Sequence, residues 1–394
     1  MFIQEIERHL KEKLIPFWKG MKDQKYGGYY GEMNYALEVQ AKANKGTIYH
    51  ARILWFFSNA NRLLKDEHLL EHAHHAYSFI KTTCFDETYG GVYWDVTYDG
   101  KAGDTTKHTY AQAFMVYALS SYYDVSQNQQ ALFLAKTLFE QIEEKCRDSF
   151  GYLEAFKRDF TPTSNQKLSE NGIEADKTMN TLLHIFEAYT ELYRVTKDSS
   201  VKKRLIYILN MVKSKIYNPK LQRQEVFFTK EMDTMIDLHS YGHDIEAAWL
   251  IDRGLEIIDD DHLTHDIEPI TKALTQCVFE KAYVDSSLLN ECENGRNDTN
   301  RIWWVQAEAM VGFANGYEKT PEKTEYLQAV KDIWEYIKNY MIDSRKGGEW
   351  YWQVDENHQA DKKKPIVESW KAPYHNGRMC FEIIQRHDKL NSGG

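Results

Sequence analysis

Three histidines stand where an imidazole could carry a proton: His184 in DKTMNTLLH, His243 in SYGHDIEAAW and His375 in KAPYHNGRMC. Each lies in, or opens, an apolar segment with helical spacing. Asn180 and His184 are four residues apart, as are Trp304 and Glu308, while His243 and Glu246 are three apart, so each pair shares a helix face. Arg52, His108 and Tyr110 occupy similar places in two further segments. Histidine titrates near pH 6.5 and serves as base or acid at neutral pH with little tuning. A helix N-terminus favours neutral imidazole and a carboxylate such as Glu246 favours the protonated form, so His243 is expected to be poised between the two.

The reaction that best uses two histidines, with no thiol nucleophile and no cofactor loop, is removal and return of a proton at a carbon α to a carbonyl. Epimerisation of a sugar at C2 is one such reaction. Blander readings stand beside it: a histidine in an apolar helix can be a satisfied core residue, tryptophans at helical spacing pack cores, and a buried Arg52 can simply pair with Glu308. What favours chemistry is that His184, His243 and His375 fall on three separate helices at one predicted rim. An inverting glycosidase would need two carboxylates about 6.5–9.5 Å apart, from Asp176, Asp244, Glu246 or Glu308, and would leave the histidines without a task. No H-E-x-x-H spacing points to a metal site, and no G-x-G-x-x-G or G-x-x-x-x-G-K-[ST] supports a nucleotide. A sugar-binding protein without catalysis would use the aromatics but not the paired histidines. The histidines of LLEHAHHAY are expected on a solvated outer face.

The elements that must position these residues are helices of two kinds. Leu327, Val330, Trp334, Ile337 and Met341 form a single apolar stripe, as do Leu263, Ile267, Ile270, Leu274 and Val278. IYHARILWFF and the stretch from Thr109 to Tyr123 are apolar nearly all round, as helices buried on most sides must be. Twelve segments alternate between the kinds: 2–18, 48–65, 67–82, 106–125, 128–146, 176–196, 198–215, 242–258, 261–281, 301–318, 322–341 and 373–386. KYGGYYGEM, TYGGVYWDV, FGYLEAF and KGGEWYWQV put glycine before alternating aromatics and read as hairpins between pairs. Six inner and six outer helices with hairpins on one rim describe an all-α (α/α)6 barrel. No linker rich in Pro, Gly or Ser interrupts it, so one domain is expected over 1–387, with a frayed tail at 388–394.

The 394 residues carry 49 Lys and Arg against 59 Asp and Glu, a net charge of −10 without a basic block, which argues against nucleic acid as a partner. Apolar runs such as ILWFF are far too short to span a bilayer, and MFIQEIERHLKEK lacks the core of a signal peptide, so a soluble, cytoplasmic protein is expected. Five scattered cysteines suit free thiols better than disulfides or zinc. With 10 Trp, 26 Tyr and 18 Phe, flat apolar ligand faces such as those of sugars have stacking partners available.

Taken together, SYGHDIEAAW, NRIWWVQAEA, DKTMNTLLH, ARILWFF and PYHNGRMC resemble the cellobiose 2-epimerases of the N-acylglucosamine 2-epimerase superfamily, from the first helix to the last. The resemblance implies an (α/α)6 barrel that, without metal or other cofactor, epimerises the reducing-end glucose of β-1,4-linked disaccharides such as cellobiose and lactose to mannose. It implies ring opening and proton transfer through a cis-enediolate by a monomer or weak homodimer. It assigns acid/base catalysis to His243 and His375, with Glu246 tuning His243, and help in ring opening to His184 with Arg52. Asn180 and Tyr110 would contact the reacting sugar, Trp304 and Glu308 would line its pocket, and Trp370 would stack on the second sugar. Ala372 departs from the family's cysteine, at a position without an assigned task. N-acylglucosamine 2-epimerisation and aldose–ketose isomerisation remain alternatives on the same scaffold.

Overall fold

In the computed structural model the two kinds of stripe become two kinds of helix. Residues 2–165, 167–168, 171–387 and 390 are described, so the expected tail over 388–394 lies, Leu390 apart, outside them. The even-numbered helices are buried on nearly every face: α2 (Thr47–Leu64), α4 (Thr109–Ser126), α6 (Met179–Thr196), α8 (Tyr241–Ile258), α10 (Trp303–Lys319) and α12 (His375–Gln385). The odd-numbered ones bury one stripe: α1 (2–20), α3 (Glu67–Phe79), α5 (Gln129–Gln141), α7 (Ser199–Met211), α9 (Asp261–Ala282) and α11 (Thr324–Tyr336). A π-helical turn interrupts α1 at Leu10–Leu14, and similar turns at Ile80–Cys84, Ile142–Cys146, Val212–Ile216 and Ile337–Met341 extend α3, α5, α7 and α11.

Each even-numbered helix packs on the next, α2 on α4 through to α10 on α12, and α12 returns to α2. Each odd-numbered helix covers an even-numbered one, with α1 lying on α12. The links from α2, α4, α6 and α8 to the next helix are tight because Lys65, Gln127, Lys197 and Asp259 take left-handed φ of 54°, 56°, 53° and 56°. The residue after each, Asp66, Asn128, Asp198 or Asp260, caps the following helix with its side chain. The fold is all-α, and no helix among the described residues is long and apolar enough to cross a membrane.

Short antiparallel strands gather the N-termini of the even-numbered helices. Lys45–Gly46 pairs with Asp95–Val96, Lys107–His108 with Ala155–Phe156, Lys177–Thr178 with Phe227–Phe228 and Arg301–Ile302 with Gln353–Val354. Before α8, Leu238–Ser240 joins Glu291–Glu293 and Arg296–Asn297 in a three-stranded sheet. These strands take residues that periodicity alone assigns to helix, so α4, α6 and α10 start at Thr109, Met179 and Trp303 instead of at 106, 176 and 301.

Periodicity also misses a repeated ion pair. Lys45, Lys107 and Lys177, each two residues before an inner helix, reach Asp23, Asp86 and Asp148 at 2.7, 3.1 and 2.7 Å. Each lysine also donates to a loop carbonyl, at Gly27, Gly90 and Lys230. Near α12, Lys371 does the same with Glu349 at 2.6 Å and the Ile366 carbonyl. Buried charges require such pairing and hydrogen bonding, and each pair pins a hairpin to the start of the helix that follows.

Candidate active site

At the rim where the inner helices begin lies a cavity of about 250 Å3. Arg52, Tyr110, Asn180, His184, His243, Glu246, Trp304, Trp370 and His375, from all six inner helices and the loop before α12, line it. Glu308 is the expected site residue that does not: it is fully buried, behind His375. The mouth adds side chains the sequence reading did not single out, among them Lys167, Asn171, Asn290, Asp298 and Trp352.

The floor is organised by Arg378, one turn beyond His375 on α12 and buried. Its guanidinium donates to Glu187 on α6, Glu246 on α8 and Glu308 on α10, the last at 2.6 Å, and also meets the Tyr374 hydroxyl. Two of these carboxylates hold histidines. Glu308 Oε1 is 2.8 Å from His375 Nδ1, and Glu187 Oε2 is 2.8 Å from His184 Nδ1. Trp249 Nε1 donates to the other oxygen of Glu308 at 2.9 Å, and Tyr374 donates to Glu187 at 2.6 Å. Burial pushes Glu187 up, but Arg378 and His184 outweigh it and bring the carboxyl down to about 2. Burial, and next the charge of Glu308, push Glu246 up to about 7, and its Oε2 has no hydrogen-bond partner.

Trp304 lies between the two proposed proton carriers, its ring centroid 4.7 Å from that of His243 and 5.4 Å from that of His375. Burial, with a smaller contribution from His184, brings His243 down to about 3. Burial, and next the charges of Arg52 and Arg378, hold His375 well below the usual histidine range. Both imidazoles are therefore neutral at pH 7 and able to accept a proton. The expected tuning of His243 by Glu246 is not what the structure shows. His243 Nδ1 pairs with Ser240 Oγ at 2.7 Å, and Glu246 turns to Arg378, 4.0 Å from His375 Nδ1. One helix face holds both residues, but Ser240 at the helix start captures the imidazole while the guanidinium captures the carboxylate.

Arg52 does not pair with Glu308 either. It donates to the Trp370 carbonyl at 2.7 Å and to the Tyr110 hydroxyl at 3.1 Å, beneath the Phe114 and Tyr374 rings. The Trp370 ring stands 5.7 Å from those of both Trp94 and Tyr110, while Tyr110 and Phe114 press on His184.

A glycosidase pair is not assembled. Asp176 is exposed, and Asp244 is buried as the acceptor for His239 and Gln224. Candidate ligand oxygens of Glu246 and Glu308 lie within 4.8 Å of each other, closer than an inverting mechanism uses. Those two carboxylates and His375 are close enough to hold a cation, but Arg378 already donates to both carboxylates and supplies the positive charge. On α3, His72 and His75 are not solvated as expected: His72 Nδ1 meets the Tyr29 hydroxyl and His75 Nε2 the Gly28 carbonyl, each at 2.9 Å.

Residues 28–376 match the N-acylglucosamine 2-epimerase (GlcNAc 2-epimerase) family. The chain is 47% identical over 386 residues to the cellobiose 2-epimerase of Ruminococcus albus, covering 98% of this chain and 99% of that one. Among solved structures, a sugar epimerase from a ruminal bacterium superposes with a TM-score of 0.97 at 46% identity, covering 98% of this chain and 99% of that one. The cellobiose 2-epimerase of Bacillus thermoamylovorans superposes with a TM-score of 0.94, also at 46% identity and with the same coverage.

Proposed function

This chain belongs to the N-acylglucosamine 2-epimerase family, and from that premise we propose how it works as a carbohydrate epimerase. The substrate is a β-1,4-linked disaccharide such as cellobiose or lactose, whose reducing-end glucose becomes mannose. The same reading takes the closed ring of inner helices as an (α/α)6 barrel, one domain over 1–387, acting in the cytoplasm as a monomer or weak homodimer.

His184 and Arg52 assist opening of the reducing-end ring to the aldehyde. His375 then takes the C2 proton, the electron pair forms the C1–C2 double bond, and negative charge gathers on O1. A guanidinium at that oxygen stabilises the enediolate more than the neutral aldehyde, which is how Arg52 lowers the barrier. His243 draws a proton from water and passes it to the opposite face of C2, the aldehyde re-forms and the ring closes as mannose. His375 returns the abstracted proton to water, and both imidazoles end the turnover neutral as they began. Asn180, Tyr110 and Trp304 fix the reacting sugar, Glu246 and Glu308 hold the floor, and Trp370 stacks on the second sugar.

The observation that carries this reading is the placement of the His243 and His375 imidazoles against one indole, that of Trp304, in the lining of the cavity. Incubation with cellobiose in heavy water tests it. The product should show a mannose-type anomeric NMR signal and deuterium at C2, and the absence of both would refute it.

A further inference from the structure

Glu187 is the one carboxylate of the floor that neither lines the cavity nor touches His243 or His375, yet it is among the most heavily engaged side chains there. Tyr374 donates to both of its oxygens at 2.6 Å, Arg378 donates to Oε1, and Oε2 lies 2.8 Å from His184 Nδ1. A carboxylate only accepts hydrogen bonds, so this contact places the His184 proton on Nδ1 and leaves Nε2 with its lone pair. His184 lines the cavity, with Nδ1 committed to Glu187 behind it. His243 offers a contrast, since its Nδ1 faces a serine hydroxyl that donates or accepts and fixes no tautomer.

We propose that Glu187 is a positioning residue for sugar ring opening, holding His184 as the Nδ1–H tautomer so that Nε2 moves the hemiacetal proton. This rests on the proposed function above. In the step, Nε2 takes the proton from the C1 hydroxyl and the O1 electrons form the C1–O1 double bond. The C1–O5 bond breaks with its pair on O5, and the imidazolium returns the same proton to O5. Nothing is oxidised or reduced, and His184 ends as it began. In Glu187→Gln, Tyr374 and Arg378 claim the amide oxygen, so the amide NH2 turns to His184. Its Nδ1 must then accept, the ring proton moves to Nε2, and the base is lost.

Mutarotation of cellobiose reports ring opening by itself. In His375→Asn, where chemistry at C2 is blocked, the enzyme should still speed equilibration of the cellobiose anomers followed by polarimetry. Adding Glu187→Gln should reduce that acceleration by about 10²- to 10⁴-fold, the range for loss of general acid–base catalysis or of the correct histidine tautomer. Glu187→Asp keeps the charge that Arg378 needs but withdraws it from Nδ1, and should lose mutarotation alike, which answers the case in which the glutamine variant does not fold. A purely structural Glu187 predicts folded variants, with unchanged circular dichroism, that mutarotate as His375→Asn does, and that result overturns the proposal. Failure of the wild-type enzyme to place deuterium at C2 would instead overturn the proposed function.

Discussion

His375 Nδ1 and Arg378 share one acceptor, Oε1 of Glu308, at 2.8 and 2.6 Å. The oxygen fixes the proton of His375 on Nδ1 and leaves Nε2 with its lone pair, free to accept a proton. Glu308→Gln should therefore lower kcat by about 10²-fold or more, as loss of an orienting carboxylate does elsewhere, while KM for cellobiose changes little because Glu308 is buried behind the histidine. A rise in KM at constant kcat would make Glu308 a binding residue instead.

The two imidazoles should separate in half-reactions. Replacing His243 or His375 with Asn removes a general acid or base and should cost about 10²- to 10⁴-fold in epimerisation in both directions. With His375 on the glucose face, His243→Asn should still exchange the C2 hydrogen of cellobiose with heavy water, whereas His375→Asn should not. NMR of recovered substrate distinguishes them, and the reverse pattern would exchange the two assignments.

Stability should fall as alkali is added through neutrality. Burial and Glu308 raise Glu246 to about 7 in the folded chain, above an ordinary glutamate near 4.5. The folded state thus binds more protons than the unfolded state between these values, and this contribution is full below the lower one and lost as pH rises through about 7. Between pH 6 and 8.5 the Tm of Glu246→Gln should fall less than that of the wild type, as followed by calorimetry. Parallel curves would place the titration elsewhere.

The partly buried Trp370 ring stands beside Trp94 and Tyr110, and its carbonyl anchors Arg52. Trp370→Ala should weaken disaccharide binding by about 1–3 kcal/mol, from lost apolar area and stacking, and the backbone contact to Arg52 should survive. Calorimetric titration of His375→Asn, with and without the second change, measures this. Equal affinities would remove the ring from the second-sugar site.

Lys45→Met should be the costliest of these changes for folding. It strands the fully buried Asp23 without its cation, and breaking a buried pair costs about 3–5 kcal/mol. Denaturant unfolding should show a much lower midpoint, and Asp23→Asn with Lys45→Met together should recover part of the loss.

Helices were legible in the sequence because burial imposes a period: the stripe Leu327, Val330, Trp334, Ile337, Met341 is buried throughout, and α2 is buried from Thr47 to Asn61. The histidines and Trp304 were legible from residue type and helix position. Glu187, Tyr374 and Arg378 were not, although two of them lie in PYHNGRMC, because a carboxylate–guanidinium hub joins helices far apart in the chain and no local spacing encodes it. For the same reason an i, i+3 relation paired Glu246 with His243, when the competing guanidinium came from α12. The buried lysines did leave a mark, a lysine two residues before helices α2, α4 and α6, which only alignment of the repeats brings out.

The packing of α1 against α12 sets an order of events during synthesis. The first helix finds its neighbours more than three hundred residues later: Trp334 Nε1 donates to Glu5 at 3.0 Å and Trp350 Nε1 to His9 at 2.9 Å. A nascent chain can zip helix pairs together one after another, yet it holds Arg52, Tyr110 and His184 without His375 or Arg378 until α12 leaves the ribosome. Catalytic competence thus arrives all at once, with the last helix, and a chain cut short before α12 is a row of paired helices with half an active site and an unlatched end.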